Sequence, residues 1–131
     1  MTDADKDVYN SGCEFDRATE TGAGRGILPR AVPTKKRLVI ETVTGYYIGN
    51  SDVLGAAYLT VGGVRHAFPW VQCGSLTSDP TDEKFYGFNH FVHLYVDGPA
   101  ELQFDADGGA FTGQGNYSGG YSVSGYLVDI N

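Results

Sequence analysis

Short runs of β-branched and aromatic residues, separated by glycine-rich turns, recur along most of the chain. The sequence contains 19 glycines, nine tyrosines and seven phenylalanines, which suit strands and tight turns better than helices. We find no convincing window with apolar residues at helical spacing. The pattern therefore predicts an all-β protein, a single antiparallel β-sandwich of jelly-roll-like form with about seven to eight strands.

Three stretches give the clearest strand predictions. Residues 37–44 are rich in β-branched residues and apolar on both faces, which is typical of a central strand. The runs 56–61 and 64–68 flank Gly62-Gly63, a two-residue turn that predicts a β-hairpin. In the second half of the longest run, 85–97, aliphatic residues alternate with aromatic residues and histidine. We expect the aliphatic face of this strand to point into the core.

The apolar pattern divides the chain into two parts. The first 31 residues carry little apolar periodicity and end in a stretch rich in glycine and proline, which predicts an irregular N-terminal arm over residues 1–31. Residues 32–131 then form the β-sandwich domain, which closes with a strand at 121–130. A length of 131 residues is that of a single domain.

The charge is unevenly distributed along the chain. The net charge is −7, which disfavours a nucleic-acid partner. Residues 21–37 hold five basic residues and no acidic one. We interpret them as a solvated segment that faces the acidic remainder of the same or a neighbouring chain, rather than as a phosphate-binding patch. No apolar run approaches the roughly 20 residues of a membrane-spanning helix, so membrane insertion is not expected.

Cys13 and Cys73 are the only cysteines, and they leave two alternatives open. In an oxidising compartment the two can form a bridge, and closing this loop of about 60 residues would contribute roughly 4 kcal/mol in the chain-entropy model. In a reducing compartment both remain free thiols. The two thiols do not form a CxxC pair and do not by themselves predict a structural zinc site.

Three segments carry a resemblance to a known family. Residues 32–43 resemble the VPxGKRLVIExV opening of small, mostly secreted bacterial β-sandwich proteins, and residues 124–130 resemble their SGYLVD ending. Residues 92–98 are similar to the VRLYADPGT stretch that lies between the two. The chain departs from the family at Lys35, where glycine is usual. The resemblance implies the sandwich fold and an extracellular or periplasmic location, and it carries over no catalytic residue.

The N-terminal residues bear on the same question of location. Residues 1–5 show neither a basic n-region nor an apolar h-region, so we do not expect a signal peptide in this sequence. Either the protein is made without one, or Met1 marks a trimmed mature start. The compartment is therefore an expectation that follows from the resemblance alone.

Asp105 and Asp107 form one candidate metal site. Together with Gly108 they resemble the start of a calcium loop, in which carboxylate oxygens alternate around a glycine turn. Residues 109–116 contain no acidic residue to complete such a loop. Because Asp-Gly is also the expected sequence of a hairpin turn, a plain turn is the favoured interpretation.

His66 and His93 form a second candidate metal site. His66 could meet either His93 or His90 across strands, with a carboxylate such as Glu41 or Glu101. His90 and His93 are an odd number of positions apart, so they point to opposite faces of a regular strand. Ordinary strand histidines are the favoured interpretation, and we predict no cofactor.

Aromatic residues at predicted loops and strand ends are the remaining candidates. A planar ring exposed at such a position can stack on a sugar or pack against a neighbouring subunit, although many of these rings must belong to the core. The candidates for ligand contact are Trp70, Tyr46, Tyr47, Tyr86 and Tyr117.

The sequence contains no constellation that indicates catalysis. It lacks the G-x-S-x-G elbow, and none of its carboxylates has a distinguishing spacing. Our leading hypothesis is a non-catalytic β-sandwich module, of the secreted, appendage or virion type, that acts as a homo-oligomer or through surface interaction. The alternatives are a carbohydrate-binding, lectin-like module and a small metal-dependent enzyme.

Overall fold

The structure is a computed structural model that describes residues 7–16, 24–49, 55–75, 84–106 and 117–130. Within these ranges the chain forms nine β-strands and no helix, so no described segment could cross a membrane as a helix. The all-β prediction is confirmed. The strands are β1 (Asp7–Asp16), β2 (Gly26–Ile27), β3 (Lys36–Gly49), β4 (Ala56–Val61), β5 (Val64–Pro69), β6 (Val71–Ser75), β7 (Lys84–Asp97), β8 (Gln103–Ala106) and β9 (Tyr117–Asp129).

Two antiparallel sheets pack around one core. The larger sheet has the strand order β1-β9-β3-β7-β6, and the smaller has the order β2-β8-β4-β5. Strands from opposite ends of the chain pair with one another: β1 with β9, β2 with β8, β3 with β7, and β4 with β5. This nested pairing is that of a jelly roll, in which one long antiparallel ribbon is rolled into two sheets. The short strand β6 is added beside β7.

The segment 1–31, predicted as an irregular arm, contains two of the strands. Strand β1 pairs with β9 along its whole length, and its side chains alternate: Tyr9 and Phe15 are buried, whereas Val8 and Asn10 face solvent. Polar and small residues between the two rings weaken the apolar signal, which is why periodicity alone missed the strand. The sandwich therefore includes the first described residues and does not begin at residue 32.

In the central strand β3, the positions that point into the core change from even to odd residue numbers at Glu41. Its register against both β7 and β9 shifts between Ile40 and Thr42, which marks a β-bulge. Before the bulge, even-numbered residues such as Leu38 point into the core; after it, odd-numbered residues such as Val43 do. Because side chains alternate with a period of two, a regular strand would turn half of these apolar residues to the outer face.

Tyr121 of β9 joins the two sheets within the core. Its ring stacks on Phe104 of β8, with centroids 4.4 Å apart and planes inclined by 3°. It also contacts Phe15 at 5.2 Å, and its hydroxyl donates a hydrogen bond of 2.7 Å to the carbonyl of Gly24. Fully buried aliphatic side chains pack in the same core: Leu28, Val32, Leu38, Ile40, Val43, Leu59, Leu102 and Val123.

We expect Gly125→Ala to disrupt the fold. Gly125 lies opposite Ile40 at the bulge, and a Cβ there would lie 1.9 Å from the carbonyl oxygen of Val39. We expect a loss of at least about 3 kcal/mol in the free energy of unfolding, because backbone must move. The matched control is Gly74→Ala on β6, whose Cβ meets nothing within 4 Å and should change stability by less than about 0.5 kcal/mol. Equal midpoints in chemical denaturation would contradict this prediction.

We expect Lys35→Gly to stabilise the protein. Lys35 has a φ of 64° in the turn before β3, where the N–H of Lys36 donates to the carbonyl of Pro33 at 3.2 Å. A side chain makes this left-handed conformation costly, so glycine should raise the free energy of unfolding by about 0.5–1 kcal/mol. The control Thr34→Gly, in the same turn and without a positive φ, should lower it by a similar amount. Parallel losses for the two variants in thermal denaturation would refute the prediction.

Candidate functional site

An apolar row crosses four strands on the outer face of the larger sheet. Residues that pair directly across neighbouring strands project from the same face. Val8 of β1 is 65% exposed and Tyr95 of β7 is 52% exposed, while Val39 is buried between two tyrosines. This cross-strand row consists of Val8, Tyr126, Val39 and Tyr95, in the order of their strands.

A more exposed aromatic group lies at the β7 end of this row. Phe91 is 90% exposed in the middle of β7, and His93 on the same strand face is also exposed. The Nε2 atom of His93 and the hydroxyl of Tyr95 share a hydrogen bond of 2.6 Å, and their rings meet edge to face with centroids 5.0 Å apart. We call Phe91, His93 and Tyr95 the β7 patch. Its composition matches the prediction that one face of this strand is aliphatic and core-facing while the other is aromatic.

Charged residues border the β7 patch on one side. Arg37 of β3 donates two hydrogen bonds to the carboxylate of Asp97, at 2.6 Å and 3.1 Å. These bonds hold the pKa of Asp97 below its usual range and raise the pKa of Arg37. The Arg37 guanidinium also lies 5.4 Å from the centre of the Tyr95 ring. The patch therefore has an apolar centre and a charged border, as the core and rim of a protein interface have.

Toward the other end of the same sheet face the rows contain more polar residues. Gly12, Ser122, Thr44 and Asn89 form one row, in which Thr44 hydrogen-bonds Ser122, and the next row consists of Glu14, Gly120, Tyr46, Gly87 and Val71. Tyr46, one of the predicted ligand-contact residues, lies among them and is 44% exposed. Tyr46 lies seven positions after Val39 on β3, which corresponds to roughly 23 Å along the strand. Val71 of β6, 59% exposed, lies in the same row as Tyr46, so exposed apolar side chains occur at both ends of the face, and Phe91 is the most exposed of them.

The other four predicted ligand-contact residues lie in the core. Trp70 stacks on Phe88 with centroids 5.0 Å apart and planes inclined by 8°. Tyr47 packs against Tyr86 at 6.0 Å and against Tyr117 at 5.6 Å. Each of these four candidates is at most 8% exposed, so their rings contribute to packing and are not presented to a ligand at the surface. The sequence pattern could not separate core rings from surface rings near strand ends.

The predicted metal ligands do not meet. His66 pairs with Leu59 on the inner side of the smaller sheet, whereas His93 lies on the outer face of the larger one. Asp105 accepts hydrogen bonds from Arg25 at 3.1 Å and from Gln103 at 3.3 Å, and Asp107 lies outside the described residues. No group of three or more potential metal-ligating side chains occurs in the described part of the chain.

The basic segment 21–37 pairs with acidic residues of the same chain. This is the interpretation that the sequence analysis favoured over a phosphate-binding patch. Four of its cations form ion pairs with aspartates from β1, β7, β8 and β9. These pairs engage the charges that a phosphate-binding patch would need. The pairs are Arg25–Asp105, Arg30–Asp7, Lys36–Asp129 and Arg37–Asp97.

Both cysteines are free thiols in the structure. Cys13 lies on β1 and Cys73 on β6, the opposite edges of the larger sheet. Four strand spacings separate these edges, about 19 Å, whereas a disulfide requires Cα atoms less than about 7 Å apart. The sequence could not exclude a bridge because it did not reveal β1.

Phe91 was not singled out as a site residue in the sequence analysis. The sequence nevertheless contained a signal for this residue: Phe91, His93 and Tyr95 share the strand face opposite the aliphatic residues. What the alternation could not reveal is that no strand or loop in the described part of the structure covers this face. The exposure of Phe91 therefore depends on the tertiary structure, because it is set by which strands and loops pack over this face.

The comparisons with known proteins bear on the fold. No family model matches the sequence, and no curated protein matches it. Among solved structures, a chain described as "Cyanophage Pam1 capsid asymmetric unit" is similar to this one, with a TM-score of 0.54 and 8% sequence identity. The match covers 96% of this chain and 89% of that chain. At such low identity the similarity extends to the fold alone.

We expect the two thiols to differ in reactivity. Burial raises the pKa of Cys13, and its Sγ lies under Gly26 of β2, while Cys73 is exposed. Because the thiolate is the nucleophile, alkylation of the native protein should label Cys73 at least about ten times faster than Cys13. Mass spectrometry of Cys73→Ser should show the fast phase lost, and Cys13→Ser should retain it. Equal rates for both thiols would contradict the described burial.

Proposed function

We propose that this protein is a non-catalytic structural module that assembles with copies of itself through the outer face of its larger sheet. The observation that carries the proposal is the 90% exposure of Phe91, beside the half-exposed ring of Tyr95. A large apolar side chain in the middle of a long strand normally packs against something. Exposed apolar surface with a polar border is typical of a protein interaction site.

The energetics favour burial of this surface. Covering a fully exposed phenylalanine side chain contributes about 1.5–3 kcal/mol. In a symmetric pair of copies the same gain occurs twice, because each chain presents the same residues. Val8, which is 65% exposed at the far end of the cross-strand row, extends the apolar area toward β1. Aromatic anchors of this kind contribute most of the binding energy in many interfaces.

The similar solved chain supports the same class of function. It belongs to a phage capsid asymmetric unit, and its match covers most of both chains. Jelly rolls serve as capsid and lectin domains among other roles, so the fold is compatible with an assembly role without specifying it. The exposed aromatic surface is what favours assembly over the glycan-binding alternative, since four of the five residues proposed for sugar stacking are core residues.

We expect the wild-type protein to form a defined oligomer that Phe91→Ser weakens. The apparent dissociation constant should rise at least about tenfold, which is 1.4 kcal/mol per interface. Light scattering after size exclusion, over a series of concentrations, measures this change. The matched control is Tyr46→Ser, an exposed aromatic on the same sheet face but away from the β7 patch, which should leave the oligomer unchanged.

Two results would count against the proposed function. A wild-type chain that remains monomeric at the highest concentration would remove it. An oligomer that Phe91→Ser and Tyr46→Ser weaken equally would show that the β7 patch is not its anchor.

A further inference from the structure

We infer that the free edge of β7 pairs, antiparallel and about a two-fold axis, with β7 of a second copy of this chain. The inference rests on the proposed function and places the contact at the β7 border of the outer face, where the aromatic patches of the two copies would partly cover one another. The assembled pair would then contain one continuous sheet made from both larger sheets, with the β7 patches of the two chains side by side on one face.

The first observation is that most of β7 lacks a second neighbour. On one side β7 pairs with β3 along its length. On the other side β6 pairs with residues 84–87 only. From Phe88 to Asp97, no strand in the described ranges pairs with this edge. Within the described ranges, ten residues of extended backbone therefore lack a second partner strand, as an edge open to pairing with another chain would.

The second observation identifies which backbone groups face the free edge. The N–H of Gly98 donates to the carbonyl of Lys36 at 2.8 Å, so the backbone groups of Gly98 point toward β3. The backbone direction alternates along an antiparallel strand. The N–H and C=O groups of Val96 and Leu94 therefore also point toward β3, and those of Tyr95 and Asp97 point away from it.

The third observation is that the free edge from Phe88 to Val96 carries no charged residue or proline that would block pairing. Natural edge strands are usually protected by charged side chains, proline, bulges or short length. The nine residues from Phe88 to Val96 include no charged residue, no proline and no glycine. Two other edge strands differ: β1 carries Asp7 and Glu14, and β5 carries Arg65 and Pro69. One β-bulge interrupts the β7 edge, because Val92 and His93 of β7 lie opposite the single residue Glu41 of β3, and the backbone groups assigned above, from Leu94 to Gly98, lie on one side of it.

A second β7 is the partner that suits this edge best. Residues Phe88 to Val96 carry no charge, and the carboxylate of Asp97 is already paired with Arg37, so self-pairing of this edge leaves no unpaired carboxylate or ammonium group against apolar side chains. Pairing with β1 of another copy would place its acidic residues beside the aromatic patch. Antiparallel pairing of two identical strands is also closed by a two-fold axis, so it ends at a dimer and does not propagate into a fibre. Phe91 and Tyr95 project from one face, so in the pair the two aromatic patches adjoin.

Hydrogen exchange at the Tyr95 amide tests this pairing on the unmodified protein. In the isolated chain this N–H points away from β3, its strand partner, whereas in the proposed dimer it donates to the partner's strand. We expect its exchange to slow at least about tenfold when the concentration is raised from the monomeric to the oligomeric range. The Val96 amide faces β3 in both the monomer and the dimer, so its exchange should not slow tenfold over the same concentration range. It serves as the internal control.

A pair of variants separates the backbone bond from the ring. Tyr95→Pro removes the ring and the outward N–H, while Tyr95→Val removes the ring alone; proline is tolerated where the N–H of an edge strand faces solvent. We expect Tyr95→Pro to raise the dissociation constant at least about tenfold more than Tyr95→Val does, because it removes a backbone donor of the shared ladder.

The possible outcomes distinguish the two proposals. A monomeric wild type overturns both the proposed function and the strand pairing. An oligomer in which the Tyr95 amide exchanges as freely as in the monomer overturns the pairing alone and leaves face-to-face assembly in place. Protection of amides on β1 together with that of Tyr95 would show a β7–β1 contact and overturn the two-fold arrangement. If Tyr95→Pro does not fold, the exchange measurement on the wild-type chain still decides.

Discussion

The register of the central strand is the constraint on which the rest of the structure depends. Strand β3 lies between β9 and β7, and its bulge at Glu41 moves the buried positions from even to odd numbers. Only with this shift do Leu38 and Val43 both point into the core. Gly125 allows the backbone of β9 to lie close to β3 at that point, since a Cβ would collide with a carbonyl oxygen. The bulge at Glu41 thus sets the register of three neighbouring strands of the larger sheet, β9, β3 and β7.

The aromatic residues separate into two groups with different roles. Inside the sandwich, Tyr121, Phe104 and Trp70 belong to a network of stacked and tilted rings that joins the two sheets. Outside, Phe91 and Tyr95 project from β7 on the face that the register of β3 turns to solvent. The interior rings contribute stability to one chain, whereas the exterior rings would contribute only when a second chain covers them. This division is what leads from the fold to a proposed role in assembly.

The edge strands indicate which side of the molecule would pair with a second copy. A jelly roll leaves open edges, and each needs protection or a partner. In this chain the edges of β1 and β5 carry charged residues or proline, while the edge of β7 from Phe88 to Val96 is uncharged and pairs with β3 alone among the described strands. The β7 patch adjoins that edge. Two independent features, exposed rings and an unprotected backbone edge, therefore point to the same side of the molecule.

Much of the fold follows from local pattern, because alternation and turn residues act over a few positions. The hairpin around Gly62-Gly63 and the aliphatic inner face of β7 are readable from the sequence alone. Strand β1 was not readable from the sequence, because its pairing with β9 joins residues more than a hundred positions apart and because apolar and polar side chains alternate only weakly along it. For the same reason the sequence could not tell that Trp70 is buried, that Cys13 and Cys73 lie on opposite edges, or that Phe91 is uncovered. The sequence by itself determined the class of fold and which residues share a strand face; the tertiary structure decided which faces and edges remain open, because that depends on which strands meet.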